Sequence, residues 1–151
     1  MLNRILTLVG IVLLFGFYRG LRDLPLWRGG PSLSWLMVGL AAMGLLFTWW
    51  ARIHIGRLWS GTITRKAGHY IVDTGPYALV RHPIYSGLIL AAIATGVQRG
   101  TLLAILGAAL VAFSFFARAR SEEQFLREQL GGENYDAYAR RVPMLLPFTK
   151  T

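Results

Sequence analysis

The sequence predicts an all-α integral membrane protein with about four transmembrane helices. The chain is 54% hydrophobic and only 15% charged, and its mean hydropathy is +0.46, which is too apolar for an ordinary soluble domain. The apolar residues lie in blocks with arginines at their ends, a pattern typical of the cytoplasmic face of membrane proteins. The net charge of +9 is therefore attributed to membrane topology, and nucleic acid is not expected as a partner.

Four apolar runs define the predicted helices. They cover residues 5–18, 33–55, 84–97 and 101–117. Crossing the hydrocarbon core takes about 20 helical residues, which only the second run meets easily. The third run is short, since 14 residues span roughly 21 Å at about 1.5 Å per residue. Residues 97–101 read as a tight turn, so the third and fourth runs are predicted to form a helical hairpin.

The first run is predicted to be a retained helix. No small-x-small cleavage site follows it, as a cleaved signal peptide would require. We expect a single membrane domain over residues 1–151, with two N-terminal transmembrane helices in 1–55 and the functional core in 56–151. Cysteine is absent, which excludes disulfides and thiolate metal sites, and no metal is expected. The oligomeric state does not follow from the sequence.

The placement of basic residues predicts the orientation in the membrane. With four spans, the N-terminus, the 56–83 loop and the C-terminal tail lie on one side. That side carries twelve basic residues: Arg4, Arg52, Arg57, Arg65, Lys66, Arg81, Arg118, Arg120, Arg127, Arg140, Arg141 and Lys150. The other side carries four, namely Arg19, Arg22, Arg28 and Arg99. This asymmetry places the long loop and the tail in the cytoplasm, at the inner membrane if the source is bacterial.

The first polar block, residues 56–85, leads into the third run. Asp73-Thr74-Gly75-Pro76 is a turn signal. Pro83 is predicted at the first turn of the third helix, where its missing N–H costs nothing. Arg81 and His82 then lie just outside the helix, and Arg81 is expected to stay at the lipid headgroups as an anchor.

The second polar block, residues 118–148, follows the fourth run. Arg118 and Glu122 are four residues apart and share a helix face, although a simple solvated helix would look the same. Gly131-Gly132 is expected to break this helix, and a short amphipathic helix with Tyr135 and Tyr138 follows. The apolar tail after it is also typical of a segment that lies on the membrane surface. The hairpin places His82 and Tyr85 beside Arg118 and Glu122, which predicts one polar pocket at the lipid boundary.

Five segments in this order resemble the isoprenylcysteine carboxyl methyltransferase family of membrane enzymes. They are GRLWSG at 56–61, GHYIV at 68–72, GPYALVRHPIYSG at 75–87, the Arg-rich helix exit with Glu122-Glu123, and the Y-x-x-Y-x-R-R-V-P tail from Tyr135. Membrane phospholipid methyltransferases and sterol reductases share parts of the pattern. The resemblance implies S-adenosyl-L-methionine as cofactor and a C-terminal helix that closes the cofactor pocket beside a cytoplasmic loop.

The resemblance also implies roles for single residues. Arg118 would face the acceptor. Arg118 and His82 are the predicted catalytic residues, His82 because an amine acceptor would have to lose a proton to a base. The implied cofactor-binding set is His69, Tyr70, Ile71, Val72, Tyr77, His82, Pro83, Ile84, Tyr85 and Glu122. Alignment on Leu126 selects Glu122 with Arg118, whereas alignment on Tyr135 selects Glu123 with Arg120. Glu122 with Arg118 is preferred, because the extra glycine at 131–132 is easier to insert in a loop than in a helix.

The implied reaction is methyl transfer to a membrane-embedded lipophilic or lipidated acceptor, expected to be a carboxylate. A carboxylate is already ionised at neutral pH and needs no general base, whereas an amine acceptor would need one, and His82 is the candidate. The short third helix would leave a gap where the acceptor could arrive sideways from the lipids. Two alternatives stay open: a phospholipid or lipophilic amine N-methyltransferase, and a non-enzymatic membrane subunit.

Overall fold

A computed structural model describes residues 2–16, 25–56, 72–130 and 132–149, without the side chains of 129, 130 and 134. Every regular element in these ranges is helical. The elements are α1 (Leu2–Phe15), α2 (Pro31–Ile55), a short 3₁₀ helix (Gly75–Ala78), α3 (Pro83–Arg99), α4 (Leu102–Leu130) and α5 (Gly132–Arg141). The predicted all-α class is confirmed. Two helices, α2 and α4, are long and apolar enough to cross a membrane.

The four long helices pack side by side in the order α2, α3, α4, α1. Small residues set the close contacts. A Cβ atom on Gly44 or Gly87 would overlap the backbone of the other helix, so α2 and α3 touch through their backbones at this level. A similar contact joins Gly10 of α1 to Gly107 of α4. The outer faces carry exposed apolar side chains such as Trp35, at 76% exposure, as helices that face lipid do.

The predicted hairpin of the third and fourth runs is present. Its turn is tighter than expected, because α3 continues to Arg99 and α4 begins at Leu102. Gly100 makes this possible by adopting the left-handed conformation at φ 62°, which favours glycine. The third helix is also longer than its apolar run, with 17 residues.

Three local sequence signals act as predicted. Pro83 lies in the first turn of α3, Gly75 takes a positive φ of 57° in the 73–76 turn, and α4 ends at Leu130 before α5 begins at Gly132. The fourth helix, however, extends well past its apolar run, with 29 residues. Its polar last turns therefore stand beyond the apolar part of the hairpin and carry Arg118, Glu122 and Glu123.

Candidate active site

The start of α3 and the polar end of α4 meet at Tyr85. The Tyr85 hydroxyl donates a hydrogen bond to Glu122 Oε2 at 2.7 Å and accepts one from Arg118 Nε at 2.9 Å. Arg118 and Glu122 can both reach it because residues four apart lie on the same face of a helix. The structure thus brings together three residues that the sequence assigned to one pocket.

Stacked aromatic rings connect this cluster to the apolar body of the hairpin. The His82 and Tyr85 rings are nearly parallel, at 5° and 5.5 Å between centroids, and Tyr85 stacks on Phe115 at 5.3 Å. Phe115 was not predicted, although it lies one helical turn before Arg118. The polar cluster is therefore bordered on its apolar side by an aromatic wall.

His82 is buried, with 7% of its surface exposed. Its Nε2 lies 3.3 Å from Glu123 Oε1, but this contact lacks hydrogen-bond geometry, and Nε2 has no hydrogen-bond partner within the described ranges. Leaving a buried polar atom unpaired costs free energy. A ligand that bonds to His82 would recover that cost, which fits the predicted contact role.

Arg81 does not stay at the headgroups, so that prediction is wrong. Its side chain is only 9% exposed and pairs with Glu123 at 2.6 Å. It also donates to the carbonyl oxygens of Ala139 at 2.8 Å and Val142 at 2.6 Å. These are carbonyls at the end of α5, where unpaired C=O groups and the helix dipole favour a cation. Arg81 therefore holds α5 against the hairpin.

The structure separates the two adjacent glutamates. Glu123 lies against Arg81 and His82, whereas Glu122 faces Tyr85. Arg120 is exposed on another face of α4, with its guanidinium 5.3 Å from the Phe116 ring centroid. The arrangement favours the preferred alignment, in which Glu122 and Arg118 belong to the pocket.

Tyr77 lies in the 3₁₀ helix next to this cluster and is 7% exposed. Its carbonyl accepts a hydrogen bond of 2.7 Å from the Tyr138 hydroxyl of α5, and its ring stacks on His54 of α2 at 6.4 Å. Burial, with a further contribution from the charge of Glu122, raises the pKa of Tyr77 well above its usual range. At neutral pH the Tyr77 hydroxyl is protonated, as an ordinary tyrosine also is, and can donate a hydrogen bond.

The other predicted cofactor residues are placed as follows. Val72 is half-buried before the 3₁₀ helix, and Pro83 is fully buried in the first turn of α3. The Ile84 carbonyl accepts a hydrogen bond from Thr48 of α2, so its backbone fixes helix packing. His69, Tyr70 and Ile71 lie outside the described residues.

In the part of the chain that the structure describes, no group of three or more His, Asp or Glu side chains could hold a metal ion.

Comparison with known proteins finds one family and several relatives. The model of the isoprenylcysteine carboxyl methyltransferase family matches residues 37–128. Protein-S-isoprenylcysteine O-methyltransferase B of Arabidopsis thaliana is 35% identical over 57% of this chain and 44% of its own length. The human protein-S-isoprenylcysteine O-methyltransferase is 37% identical over 54% of this chain and 29% of its own length.

A relative named as a metal-resistance protein aligns over more of this chain than the two methyltransferases do. The cobalt-zinc-cadmium resistance protein CzcN of Cupriavidus metallidurans is 31% identical over 95% of this chain and 60% of its own length. The chain spans less than half the length of the two methyltransferases above. The part matched by the family model, residues 37–128, includes the RHPIY segment and the polar side chains of α4 that form the cluster around Tyr85.

Proposed function

Because the chain belongs to the isoprenylcysteine carboxyl methyltransferase family, we propose that it catalyses S-adenosylmethionine-dependent methyl transfer to a lipophilic acceptor in the membrane. Family membership and two long apolar helices indicate an integral membrane protein. One observation carries the proposal: the Tyr85 hydroxyl joins a carboxylate, Glu122, to a cation, Arg118, beside an apolar aromatic wall. A polar cofactor and an apolar acceptor need these two environments side by side.

Bound S-adenosylmethionine supplies a methyl group on a positively charged sulfur. The residues of the site suit such a ligand. Glu122 offers a carboxylate for an amino group, and charge-assisted hydrogen bonds of this type are strong. Tyr77 offers a protonated hydroxyl, and the rings of His82 and Tyr85 offer faces to a cation. The Nε2 atom of His82 makes no hydrogen bond to the described residues, although Glu123 lies 3.3 Å away, and this supports a contact with a ligand here.

The acceptor is proposed to carry a carboxylate, as in isoprenylcysteine-type O-methylation. Arg118 offers a planar guanidinium for that carboxylate, and the neighbouring Phe115 offers an apolar surface to the rest of the acceptor. A carboxylate needs no general base, so the tasks left to the protein are alignment and exclusion of water. For an amine acceptor, His82 would have to take the proton.

Replacing Arg118 by glutamine is expected to raise the KM for the acceptor while leaving cofactor affinity near the wild-type value. The loss should reach about 1.5–3 kcal/mol, typical of a hydrogen bond to a charged group. Steady-state methyl transfer with a parallel titration of S-adenosylhomocysteine measures both. Arg120→Gln is the matched control, because Arg120 is exposed away from the cluster. A cofactor affinity that falls as much as acceptor use would contradict the assignment.

The proposed fold in the membrane has four spans, with α1 and α3 crossing beside α2 and α4. The site then lies on the cytoplasmic side, and α5 with its tail closes the pocket. The charge distribution of twelve basic residues against four supports this orientation. The closure is supported by the bonds that Arg81 donates to carbonyls at the end of α5 and by the bond that Tyr138 of α5 donates to the Tyr77 carbonyl.

Labelling of single introduced cysteines tests the orientation. The natural sequence has no cysteine, so only the introduced position reacts. Cysteines placed at Thr64 and Thr149 are expected to react with an impermeant maleimide only after the membrane is opened. A cysteine at Arg28 in the opposite loop is the matched control and should react in intact cells. Labelling of intact cells at Thr64 or Thr149 would refute the proposed side.

The reaction itself is tested by comparing acceptors in bilayers. Purified protein is given S-adenosylmethionine with an isoprenylcysteine analogue, a phospholipid amine or a small lipophilic amine. Turnover is expected with the carboxylate compound. Turnover only with an amine would show that the protein is an N-methyltransferase and not an O-methyltransferase. Failure to bind S-adenosylhomocysteine would favour a non-enzymatic membrane subunit.

A role in metal resistance is a second candidate function. It is favoured by the alignment with the cobalt-zinc-cadmium resistance protein CzcN, which covers 95% of this chain. This role and methyl transfer do not exclude each other. Growth of a deletion strain on graded cobalt, zinc and cadmium tests it, and complementation by wild-type protein but not by Glu122→Gln would connect resistance to the site.

A further inference from the structure

The tip of the C-terminal tail exposes large apolar side chains. Leu146 is 66% exposed and Phe148 is 95% exposed. The Thr149 hydroxyl donates to the Leu146 carbonyl at 2.8 Å, which closes a turn with Pro147 and Phe148 at its tip. Phe148 adopts φ 64°, a conformation that is uncommon for residues other than glycine. The tip is thus shaped as a protruding apolar turn, and the described structure places no protein surface over it.

Three hydrogen bonds fix the direction in which the tail runs. The amide N–H of Arg81 donates to the Pro143 carbonyl, and that of His82 donates to the Met144 carbonyl. The Ser86 hydroxyl donates to the Leu145 carbonyl at 2.6 Å. Between Pro143 and Leu145 the tail therefore passes from the segment before α3 to the second half of its first turn. It runs alongside α3 in the direction that leads into the helical bundle.

The α2–α3 contact shows where the membrane boundary lies along this path. The Thr48 hydroxyl of α2 bonds the Ile84 carbonyl of α3, so these residues are level. Trp49 and Trp50 follow Thr48 directly and are 67% and 47% exposed, and exposed tryptophans are enriched at the membrane interface. Gly87 touches Gly44, one turn deeper in α2. The Ser86 hydroxyl also donates to the His82 carbonyl, so the tail lies at the level of these tryptophans when it bonds Ser86.

We propose that the apolar turn at residues 146–148 inserts into the hydrocarbon edge of the bilayer that holds the helices, with lipid acyl chains as its partner. The tail is aimed at this depth by its bonds to α3. The exposed arginines at the end of α5, Arg140 and Arg141, stand before the tail, where they suit anionic headgroups. The inserted turn would tie the far end of α5 to the membrane as well as to Arg81. Insertion of the tail does not depend on which acceptor is methylated.

Spin labels on single cysteines test the insertion, and the cysteine-free chain makes the labelling clean. Cysteine replaces Phe148 or, in a second variant, Leu146, in the full chain reconstituted at one copy per nanodisc of phosphatidylcholine and phosphatidylglycerol. Val38, exposed in the first half of α2, is the reference for lipid. Glu133, exposed in the first turn of α5, is the reference for water. Collision of the label with oxygen, which concentrates in lipid, is compared with collision with a water-soluble nickel chelate.

Labels at residues 146 and 148 are expected to lose collisions with the nickel chelate and to gain collisions with oxygen, as at Val38. Loss of nickel accessibility that appears only with two or more copies per disc would identify a second copy of the chain as the partner and overturn the proposal. Labels that match Glu133 would also overturn it, since the turn would then lie in water. The Leu146 variant decides the question if the Phe148 variant does not fold.

Discussion

Arg81→Met is expected to destabilise the protein by about 3–5 kcal/mol, the typical cost of removing one partner from a buried ion pair, and to abolish methyl transfer. The substitution removes the pair with Glu123 and both bonds to the end of α5, leaving a carboxylate at 19% side-chain exposure without its cation. Methionine keeps an apolar stem of similar size, so packing is largely preserved. Thermal unfolding in bilayers and a methyl-transfer assay on the same sample measure the two losses.

The matched control is Arg127→Met. Arg127 pairs with Asp136 at 2.6 Å, the same distance as in the Arg81 pair, but it is 61% exposed. Exposed pairs contribute about 0–1 kcal/mol, so this variant should remain near wild type. The double variant Arg81→Met with Glu123→Leu should recover part of the lost stability, because it removes the unpaired charge. If Arg81→Met unfolds at the same temperature as Arg127→Met, Arg81 does not hold α5 against the hairpin.

Glu122→Gln is expected to weaken binding of S-adenosylhomocysteine by about 1.5–3 kcal/mol, as for a lost hydrogen bond to a charged group, without lowering the unfolding temperature. Glu123→Gln should do the reverse, because the strong contact of Glu123 is its ion pair with Arg81, and it touches the site only at the edge of His82. The two variants are isosteric and adjacent, so each is the control for the other. Isothermal titration gives the affinities, and equal affinities of wild type and Glu122→Gln would remove Glu122 from the cofactor site.

The sequence predicted the positions of helix ends better than the partners of charged residues. Pro83 and the Gly131-Gly132 pair are local signals in the sequence, so the helix start and the helix end that they predict need no knowledge of the fold. The shared face of Arg118 and Glu122 follows from helical periodicity alone. Tyr85, their common partner, could be placed beside them only because the short turn near Gly100 predicted a hairpin.

Arg81 shows where such reasoning fails. An arginine at the edge of an apolar run is typical of a headgroup anchor. The residues around Arg81 do not indicate that α5 packs against it. Its partners lie 42 residues away in Glu123 and 61 residues away in Val142, across a helix break whose direction no local signal sets. The role of Glu123 was not predicted for the same reason. Glu122 and Glu123 are adjacent in α4, and only the distant partner of Glu123 distinguishes the two.

Transfer of labelled methyl from S-adenosylmethionine into a lipid extract, followed by treatment with base, tests the central claim most directly. Wild-type protein in bilayers is predicted to produce a lipid-extractable label that base releases, as it releases the methyl group of an ester. Glu122→Gln and Arg118→Gln should each reduce this label strongly, and Arg120→Gln should not. A label that resists base would contradict carboxyl methylation, and the absence of any transferred label from a protein that is folded would contradict the enzymatic function as a whole.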